Sequence, residues 1–233
     1  YTGAQAVRQA LGLDGSAPIN LITLQTGPLE AALRALPAVD PARADAASVV
    51  VALPDRLLVT IQERQPIVIW QVDGHRFLVD VSGTLFADLA PDAADPGLPI
   101  VLDSRADSAT LAIGASLDPS DLAAVRQLAA VTPAFLGSGA ASLALAVTDD
   151  EGFTVDAQPG LWHAVFGVYT ATLRPPTIVP AQVQCLASLL AGHEASLAII
   201  RLAPSPNRCG TYTERSAHPT PSPGPRPSAS AVP

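Results

Sequence analysis

The most constraining feature of the sequence is a change in its apolar pattern on either side of a proline. In LLVTIQER (57–64) apolar residues alternate with more polar ones, which predicts an antiparallel strand buried on one face only. In IVIWQV (67–72) five of six residues are apolar, which predicts a strand buried on both faces. Because proline cannot donate to a strand ladder, the proline between them fits a sheet end or an edge. We therefore predict a joint between two domains at Glu63, Arg64 and Pro66.

Two helices are predicted ahead of this strand, in 2–13 and 25–36. Apolar residues recur in both at the spacing of an amphipathic helix, and Pro28 fits the first helical position of the second. Another strand is predicted in 44–53. Two helices can cover one face of such a short sheet, which matches the one-sided alternation. The sequence thus predicts a small α+β domain over residues 1–65.

The chain after Pro66 is predicted to be rich in β-structure. Short apolar stretches alternate with turn residues, which is typical of sequential strands. Helices are predicted at 117–131, where Asp118 fits the N-cap, and at 179–191. We therefore expect a second, β-rich domain with two helices over residues 66–215, and an α+β fold class for the whole chain.

Composition excludes some classes of partner. The formal net charge is −8 and all 13 basic residues are Arg, so the chain lacks the basic surface that nucleic-acid binding needs. No apolar run approaches the roughly 18 residues of a membrane span.

Between residues 219 and 227 every second residue is proline, and we expect 216–233 to be a disordered Pro/Ser-rich tail.

No motif predicts catalysis, and we expect neither an enzyme nor a cofactor or metal. The sequence contains no HExxH or GxSxG motif. Glu63 and Arg64 lie on opposite faces of a strand, so they do not form a catalytic pair. The isolated histidines are expected at surface or helix-end positions, because a lone histidine rarely catalyses. They are His75, His163, His193 and His218.

The sequence permits one disulfide, between Cys185 and Cys209. The two cysteines lack the CxxC spacing of a zinc site. Cys185 lies away from the apolar face of the last helix, and Cys209 follows a strand that would return alongside that helix. In an oxidising compartment a bond between them would hold the end of the chain.

Three stretches of the sequence carry a family resemblance. They are TGAQAVRQALGLDGSAPINLITLQTGPLEAALRALPAV, then LPDRLLVTIQERQPIVIW with its LP, ER and xPxxxW elements, and FLVDVSGTLFA with its LVDxxGx-hydrophobic-F element. Together they resemble the extracytoplasmic part of the FtsQ/DivIB family of bacterial cell-division proteins. The stretch DDEGFTVDAQPGLWHAVFGVYTATLRPPTIVPAQVQCLASLL is similar to the β-domain of that family. The resemblance covers about residues 2–203.

The resemblance implies a domain order, a role and a location. Residues 1–65 would be a POTRA-like domain whose first strand lies upstream, and 66–215 an FtsQ-like β-domain. The protein would be a non-enzymatic divisome scaffold that binds the small bitopic FtsB/DivIC-like and FtsL-like division proteins. An N-terminal span missing from this chain would anchor it in the cell membrane by a single pass, with this part on the extracytoplasmic side at the septum.

A partner of such a scaffold is expected to bind by strand addition at an open sheet edge. The final strand of the predicted fold is the candidate, because nothing folded after it must cover its outer side, and the resemblance points to the same element. Alternatively, both faces of the strand are buried and the chain from Pro204 shields its edge. The candidate residues are Ser196, Leu197, Ala198, Ile199, Ile200, Arg201 and Leu202.

Two other functions remain open. The first is a POTRA-bearing secretion or outer-membrane assembly module. Such modules carry several POTRA repeats, whereas only one such unit is visible here. The second is a secreted binding protein of another kind, for which the sequence offers no specific motif.

Overall fold

The computed structural model describes residues 1–13, 15, 20–90, 93, 94 and 96–215. The predicted tail, 216–233, lies outside the described residues. Within the described ranges, no helix is both long enough and apolar enough to cross a membrane. The mixed α+β fold class predicted from the sequence is confirmed, with a few helices and one large mixed sheet.

The N-terminal part contains two short helices and a two-stranded sheet, close to the predicted positions. Helix α1 spans Ala4–Ala10, α2 spans Thr26–Arg34, and strands β1 (Ala47–Ala52) and β2 (Arg56–Ile61) pair antiparallel. Half-buried and exposed residues alternate strictly along β2, as its sequence pattern predicts. Leu33 is fully buried among the apolar residues of these elements, so the helices cover one face of the sheet.

Side chains of α2 occupy the outer edge of β1. The backbone N–H of Val49 donates to Glu30 Oε1 at 3.0 Å, and Arg34 Nη2 donates to the carbonyl of Ala47 at 3.1 Å. These bonds satisfy main-chain groups that an incoming strand would otherwise use. The outer edge of β1 is therefore partly closed.

In the described part of the chain, nine further strands form one sheet. Its order is β11-β10-β9-β8-β7-β6-β3-β4-β5, and the pairs β3–β6, β6–β7 and β9–β10 are parallel while the others are antiparallel. The strands are β3 (Pro66–Val72), β4 (His75–Asp80), β5 (Leu85–Asp88), β6 (Ile100–Asp103), β7 (Ser142–Thr148), β8 (Gly152–Gln158), β9 (His163–Gly167), β10 (Leu197–Leu202) and β11 (Gly210–Glu214).

Helices cover one face of this sheet and enclose the main core. Helix α3 spans Pro119–Leu128, α4 spans Pro133–Leu136 and α5 spans Val179–Leu190, with short 3-10 turns at Ala106–Thr110, Pro176–Ile178 and Glu194–Ser196. The predicted cap of α3 is confirmed, because the Asp118 carboxylate accepts from the N–H of Ser120 at 2.7 Å. The core includes Trp70, Phe153, Phe166, Leu186 and Ile200.

The other face of the sheet is covered near β5 by a second apolar cluster. Ala38, from the segment after α2, packs with Ile69, Leu78 and Phe86. The N-terminal core and the core under α3 and α5 are separate clusters. A division into two domains near Pro66 agrees with these clusters and stays a prediction.

The outer edge of β5 is partly covered by the chain before α3. The N–H of Leu85 donates to the carbonyl of Ala115 at 2.9 Å, and the carbonyl of Leu85 accepts from the N–H of Gly114 at 2.7 Å. Thr84 also forms an isolated bridge with Ser116. This end of the sheet is therefore blocked at the start of its last strand.

The prediction that 196–203 form the last strand, with a free outer side, is wrong, whereas the alternative that the chain from Pro204 shields its edge is confirmed. Ser196 lies in a 3-10 turn, and β10 is followed by β11, which pairs with it antiparallel. The physical reason is that the chain reverses after Pro204 and Pro206, and GTYTE then has the Thr and Tyr content that favours a strand. Whether these residues contact a partner stays a prediction.

Candidate partner-binding edge

Strand β11 forms the outer end of the nine-stranded sheet. All five of its residues are exposed, and Tyr212 is 52% exposed. Among the described strands, β11 pairs with β10 alone. An exposed edge of this kind presents unpaired N–H and carbonyl groups that can accept another strand.

Two hydrogen bonds flanking β11 show which of its main-chain groups point outward. The carbonyl of Cys209 accepts from the N–H of Ala203 at 3.1 Å, and the N–H of Arg215 donates to the carbonyl of Ser196 at 2.8 Å. In an antiparallel pair the main-chain N–H and carbonyl groups of successive residues point alternately toward the paired strand and away from it. The main-chain groups of the odd-numbered residues of β11 therefore point toward β10, and those of Gly210, Tyr212 and Glu214 point outward.

The side chains of β11 divide between the two faces of the sheet. Tyr212 lies opposite the buried Ile200 and so on the face that α5 covers. Thr211 lies opposite Arg201 on the other face. A groove of about 280 Å³ runs along β11 on the α5 face, and its lining residues are Ser188, Leu189, His193, Ser196, Leu197, Tyr212 and Glu214.

Helix α5 holds the loop between β10 and β11 at two points. The Gln182 amide donates to the carbonyl of Ala203 at 3.0 Å, and its oxygen accepts from the Tyr169 hydroxyl at 2.6 Å. One turn later, Cys185 is joined to Cys209 by a disulfide with Cα atoms 5.3 Å apart, a separation typical of disulfides. The predicted pair of cysteines is therefore bonded directly before the edge strand.

Arg215 holds the other end of β11. Its Nε donates to the carbonyl of Leu197 at 3.1 Å, and its Nη2 donates to the carbonyl of Gly160 at 3.0 Å. The edge strand is thus fixed at both ends by groups outside the strand itself. No pattern in the sequence predicts this role of Arg215.

In the predicted joint, Glu63 and Arg64 lie between β2 and β3, and Pro66 is the first residue of β3. Arg64 pairs with Asp80 of β4, and its Nε donates to the carbonyl of Pro37 at 2.8 Å. The Glu63 carboxylate accepts from the N–H of Thr2, and the main chain of Glu63 forms an isolated antiparallel β-bridge with Val39. Burial raises the pKa of Asp80, but hydrogen bonds from Ser82, Arg64 and Thr84 outweigh it and lower that pKa below its usual value.

His163 is not isolated as expected, because neighbouring elements supply it with partners. Its Nδ1 lies 2.7 Å from Asp156 of β8, and its Nε2 lies 3.0 Å from Glu151 of the preceding turn. Glu151 also pairs with Arg201 of β10 at 3.3 Å. Burial lowers the pKa of His163, but the two carboxylates outweigh it and raise the pKa. The His–carboxylate contacts arise from the register of β8 and β9, which the sequence alone does not reveal.

The charge network around His163 consists of Asp156, Glu151 and Arg201. In the ranges that the structure describes, no three His, Cys, Asp or Glu side chains are grouped so that they could hold a metal ion. His75 is likewise paired with Asp88, at 2.7 Å on the surface. The feature with the clearest binding capacity is the outward main chain of β11.

Comparison with known proteins finds partial matches to one class of protein. The cell division protein FtsQ of Zymomonas mobilis is 45% identical over 53 residues, which are 23% of this chain and 16% of that protein. The cell division protein FtsQ of Chloroflexus aurantiacus is 37% identical over 93 residues, which are 39% of this chain and 32% of that protein. No protein-family model matches the chain.

These matches support an FtsQ-like relationship, in line with the resemblance noted in the sequence. The matched segments cover less than half of either relative's length. The similarity to FtsQ therefore concerns part of the chain.

Proposed function

We propose that this chain is a non-enzymatic scaffold of bacterial cell division that binds a partner by strand addition at β11. The observation that carries the proposal is the exposed edge of β11, with outward main-chain groups at Gly210, Tyr212 and Glu214. The similarity of this chain to two proteins named as cell division protein FtsQ supports the cellular role.

The composition of β11 suits this mode of binding. Thr211, Tyr212 and Thr213 favour extended backbone, and Glu214 is the one charged residue in the strand. Strands that avoid pairing usually carry lysine, proline or a bulge on the edge. The groove beside Tyr212 offers a site for one side chain of an added strand, and specificity in strand addition comes from such sites.

The proposed partners are FtsB/DivIC-like and FtsL-like division proteins. The chain would lie on the extracytoplasmic side of the cell membrane at the division septum. The Cys185–Cys209 disulfide supports an extracytoplasmic location, because disulfides persist in oxidising compartments. The residues of β10 would support the edge strand, with Ile200 and Leu202 buried beneath it.

A proline substitution at an outward position tests the edge directly. Tyr212→Pro removes an outward N–H while the bonds of its odd-numbered neighbours to β10 are kept, and edge strands tolerate proline at such positions. Binding to the purified extracytoplasmic segment of the FtsB/DivIC-like protein of the same genome is expected to weaken by about tenfold or more. The matched control is Tyr212→Phe, which keeps the N–H and the ring and is expected to bind normally.

Amide protection in β8 verifies that the proline variant is folded. A folded Tyr212→Pro protein that binds the segment with unchanged affinity would place the binding surface elsewhere. A loss of binding in Tyr212→Phe alone would indicate that the hydroxyl, and not the main chain, carries the interaction.

A further inference from the structure

We propose that the Cys185–Cys209 disulfide is a redox-responsive clamp that keeps β11 formed as a docking edge. The inference rests on the function proposed above for the biological meaning of the edge, but the physical claim concerns β11 alone. In the oxidised protein the strand is ordered against β10. In the reduced protein the strand detaches while the rest of the sheet stays folded.

The position of the disulfide gives it control over the start of β11. Cys209 directly precedes Gly210, the first residue of the strand, and Cys185 lies on α5, which packs on the sheet. Gln182 already fixes Ala203 at the end of β10. Between Ala203 and Cys209 the chain forms a loop whose return point is held by the disulfide and by the bond from the N–H of Ala203 to the carbonyl of Cys209. Reduction removes the covalent hold at the point where the chain re-enters the sheet.

Little else holds β11 in place. None of its five residues is buried, so the hydrophobic effect contributes little to its order. What remains is main-chain pairing with β10 and three bonds from Arg215 at the far end, one from its main-chain N–H and two from its side chain. An exposed hydrogen bond contributes little to stability, and exposed strands at the ends of sheets open readily. The disulfide is the covalent part of this attachment.

The disulfide is also accessible to a reductant. Cys209 is exposed, whereas Cys185 is half-buried against the core. A dithiol attacks as the thiolate at Sγ of Cys209 and forms a mixed disulfide, while Cys185 leaves as a thiolate and takes a proton. The second thiol of the reductant then releases Cys209 as a thiol and leaves the reductant as a disulfide. Two electrons and two protons pass to the protein, and the chain has no third cysteine to interfere.

The detachment is expected to remain local. The β9–β10 pair, the Gln182 bond to Ala203 and the buried residues Leu197, Ile200 and Leu202 hold β10 without any contribution from the disulfide. The sheet would then end at β10, and the main-chain groups of β10 that had paired with β11 would lie beside a disordered segment. A partner that pairs with β11 would lose its template, which makes binding sensitive to the redox state.

Hydrogen exchange of the full chain tests the clamp. The amides of Thr211 and Thr213 bond to β10, so their exchange is measured before and after treatment with dithiothreitol. We expect their exchange rates to rise roughly ten- to a hundredfold on reduction, while the amides of Val155 and Ala164 in β8 and β9 keep theirs. The double variant Cys185→Ser and Cys209→Ser is expected to behave as the reduced protein and to be unaffected by dithiothreitol.

Two results would overturn the clamp. In the first, reduction leaves the protection of Thr211 and Thr213 unchanged. In the second, reduction exposes the whole sheet, which would make the disulfide a support of the entire fold. Binding to the FtsB/DivIC-like segment is measured in both redox states and tests the proposed function separately. Absence of binding in both states counts against the scaffold proposal, whereas the exchange data alone decide the clamp.

Discussion

Arg64 and Asp80 form a largely buried ion pair that joins the segment after β2 to the β4–β5 hairpin. Their side chains are only 12% and 7% exposed. The side chain of Arg64 also donates to the carbonyl of Pro37, and its main-chain N–H donates to the carbonyl of Ala38. Asp80 in turn accepts from the Ser82 hydroxyl at the hairpin turn. A single side chain thus connects three segments at the point where the apolar pattern of the sequence changes.

Removal of Arg64 is expected to destabilise the protein strongly. Arg64→Ala leaves the Asp80 carboxylate buried without its cation and breaks the bond to Pro37, and such changes cost roughly 2 to 4 kcal/mol in the free energy of unfolding. Arg43→Ala is the matched control, because Arg43 is exposed and its pair with Asp40 is 3.7 Å long. That variant is expected to change stability by less than about 0.5 kcal/mol. Urea unfolding measures both, and equal effects would contradict the prediction.

Asp103 is expected to be a second position of high sensitivity. Its carboxylate accepts from Trp70 Nε1 at 2.9 Å, from the Ser108 hydroxyl at 2.6 Å and from Arg105 at 2.9 Å. Asp103→Ala leaves these donors unpaired in a buried site, which costs roughly 3 to 5 kcal/mol. Thermal unfolding followed by tryptophan fluorescence reports the loss. The control is Asp107→Ala, at an exposed position in the 3-10 turn that follows β6, and a comparable loss there would contradict the assignment.

Stability is expected to depend on pH through His163. Its pKa is raised in the folded protein above the ordinary value of 6.5. The stabilisation is therefore full below pH 6.5 and is lost as the pH rises through the folded pKa. Because the site is partly exposed, the change is expected to be about 1 kcal/mol or less.

The matched variant for this pH dependence is His163→Gln, which cannot titrate. Urea unfolding at about pH 6 and about pH 8 is expected to show a decline for the wild type relative to the variant. The groups that face His163 are Asp156, Glu151 and, through Glu151, Arg201. Identical pH profiles for the two proteins would show that these contacts do not stabilise the charged imidazole.

Two glycines with left-handed backbone are expected to differ in their tolerance of a side chain. Gly152 and Gly160 have φ values of 67° and 47°. A Cβ on Gly152 would lie 2.3 Å from the backbone of Gly167, whereas a Cβ on Gly160 would meet nothing within 4 Å. Gly160→Ala is expected to cost about 1 kcal/mol from backbone strain, and Gly152→Ala about 2 kcal/mol more. Thermal unfolding distinguishes them, and equal costs would contradict the steric argument.

Features set by local chemistry could be predicted from the sequence. Asp118 and Pro119 determine the start of α3, and the alternation in β2 follows from covering one face of the sheet. The strand after Pro66 is mostly buried, as its apolar run indicates. Each of these depends on residues close together in the chain.

Features that depend on long-range pairing could not be predicted. β11 has no buried side chain and is a strand because β10 offers it a main-chain ladder, which leaves no apolar periodicity to detect. The contacts of His163 likewise depend on the register that places Asp156 opposite it. The candidate binding edge therefore lies one strand beyond the predicted one.

The covered start of β5 and the exposed β11 make the nine-stranded sheet unequal at its two ends. Filaments built by strand addition need an acceptor at each end of every subunit. Here the bonds of Leu85 to Gly114 and Ala115 obstruct one end, so a second copy of the sheet cannot pair fully there. Strand addition at β11 therefore does not continue into an end-to-end polymer of this chain.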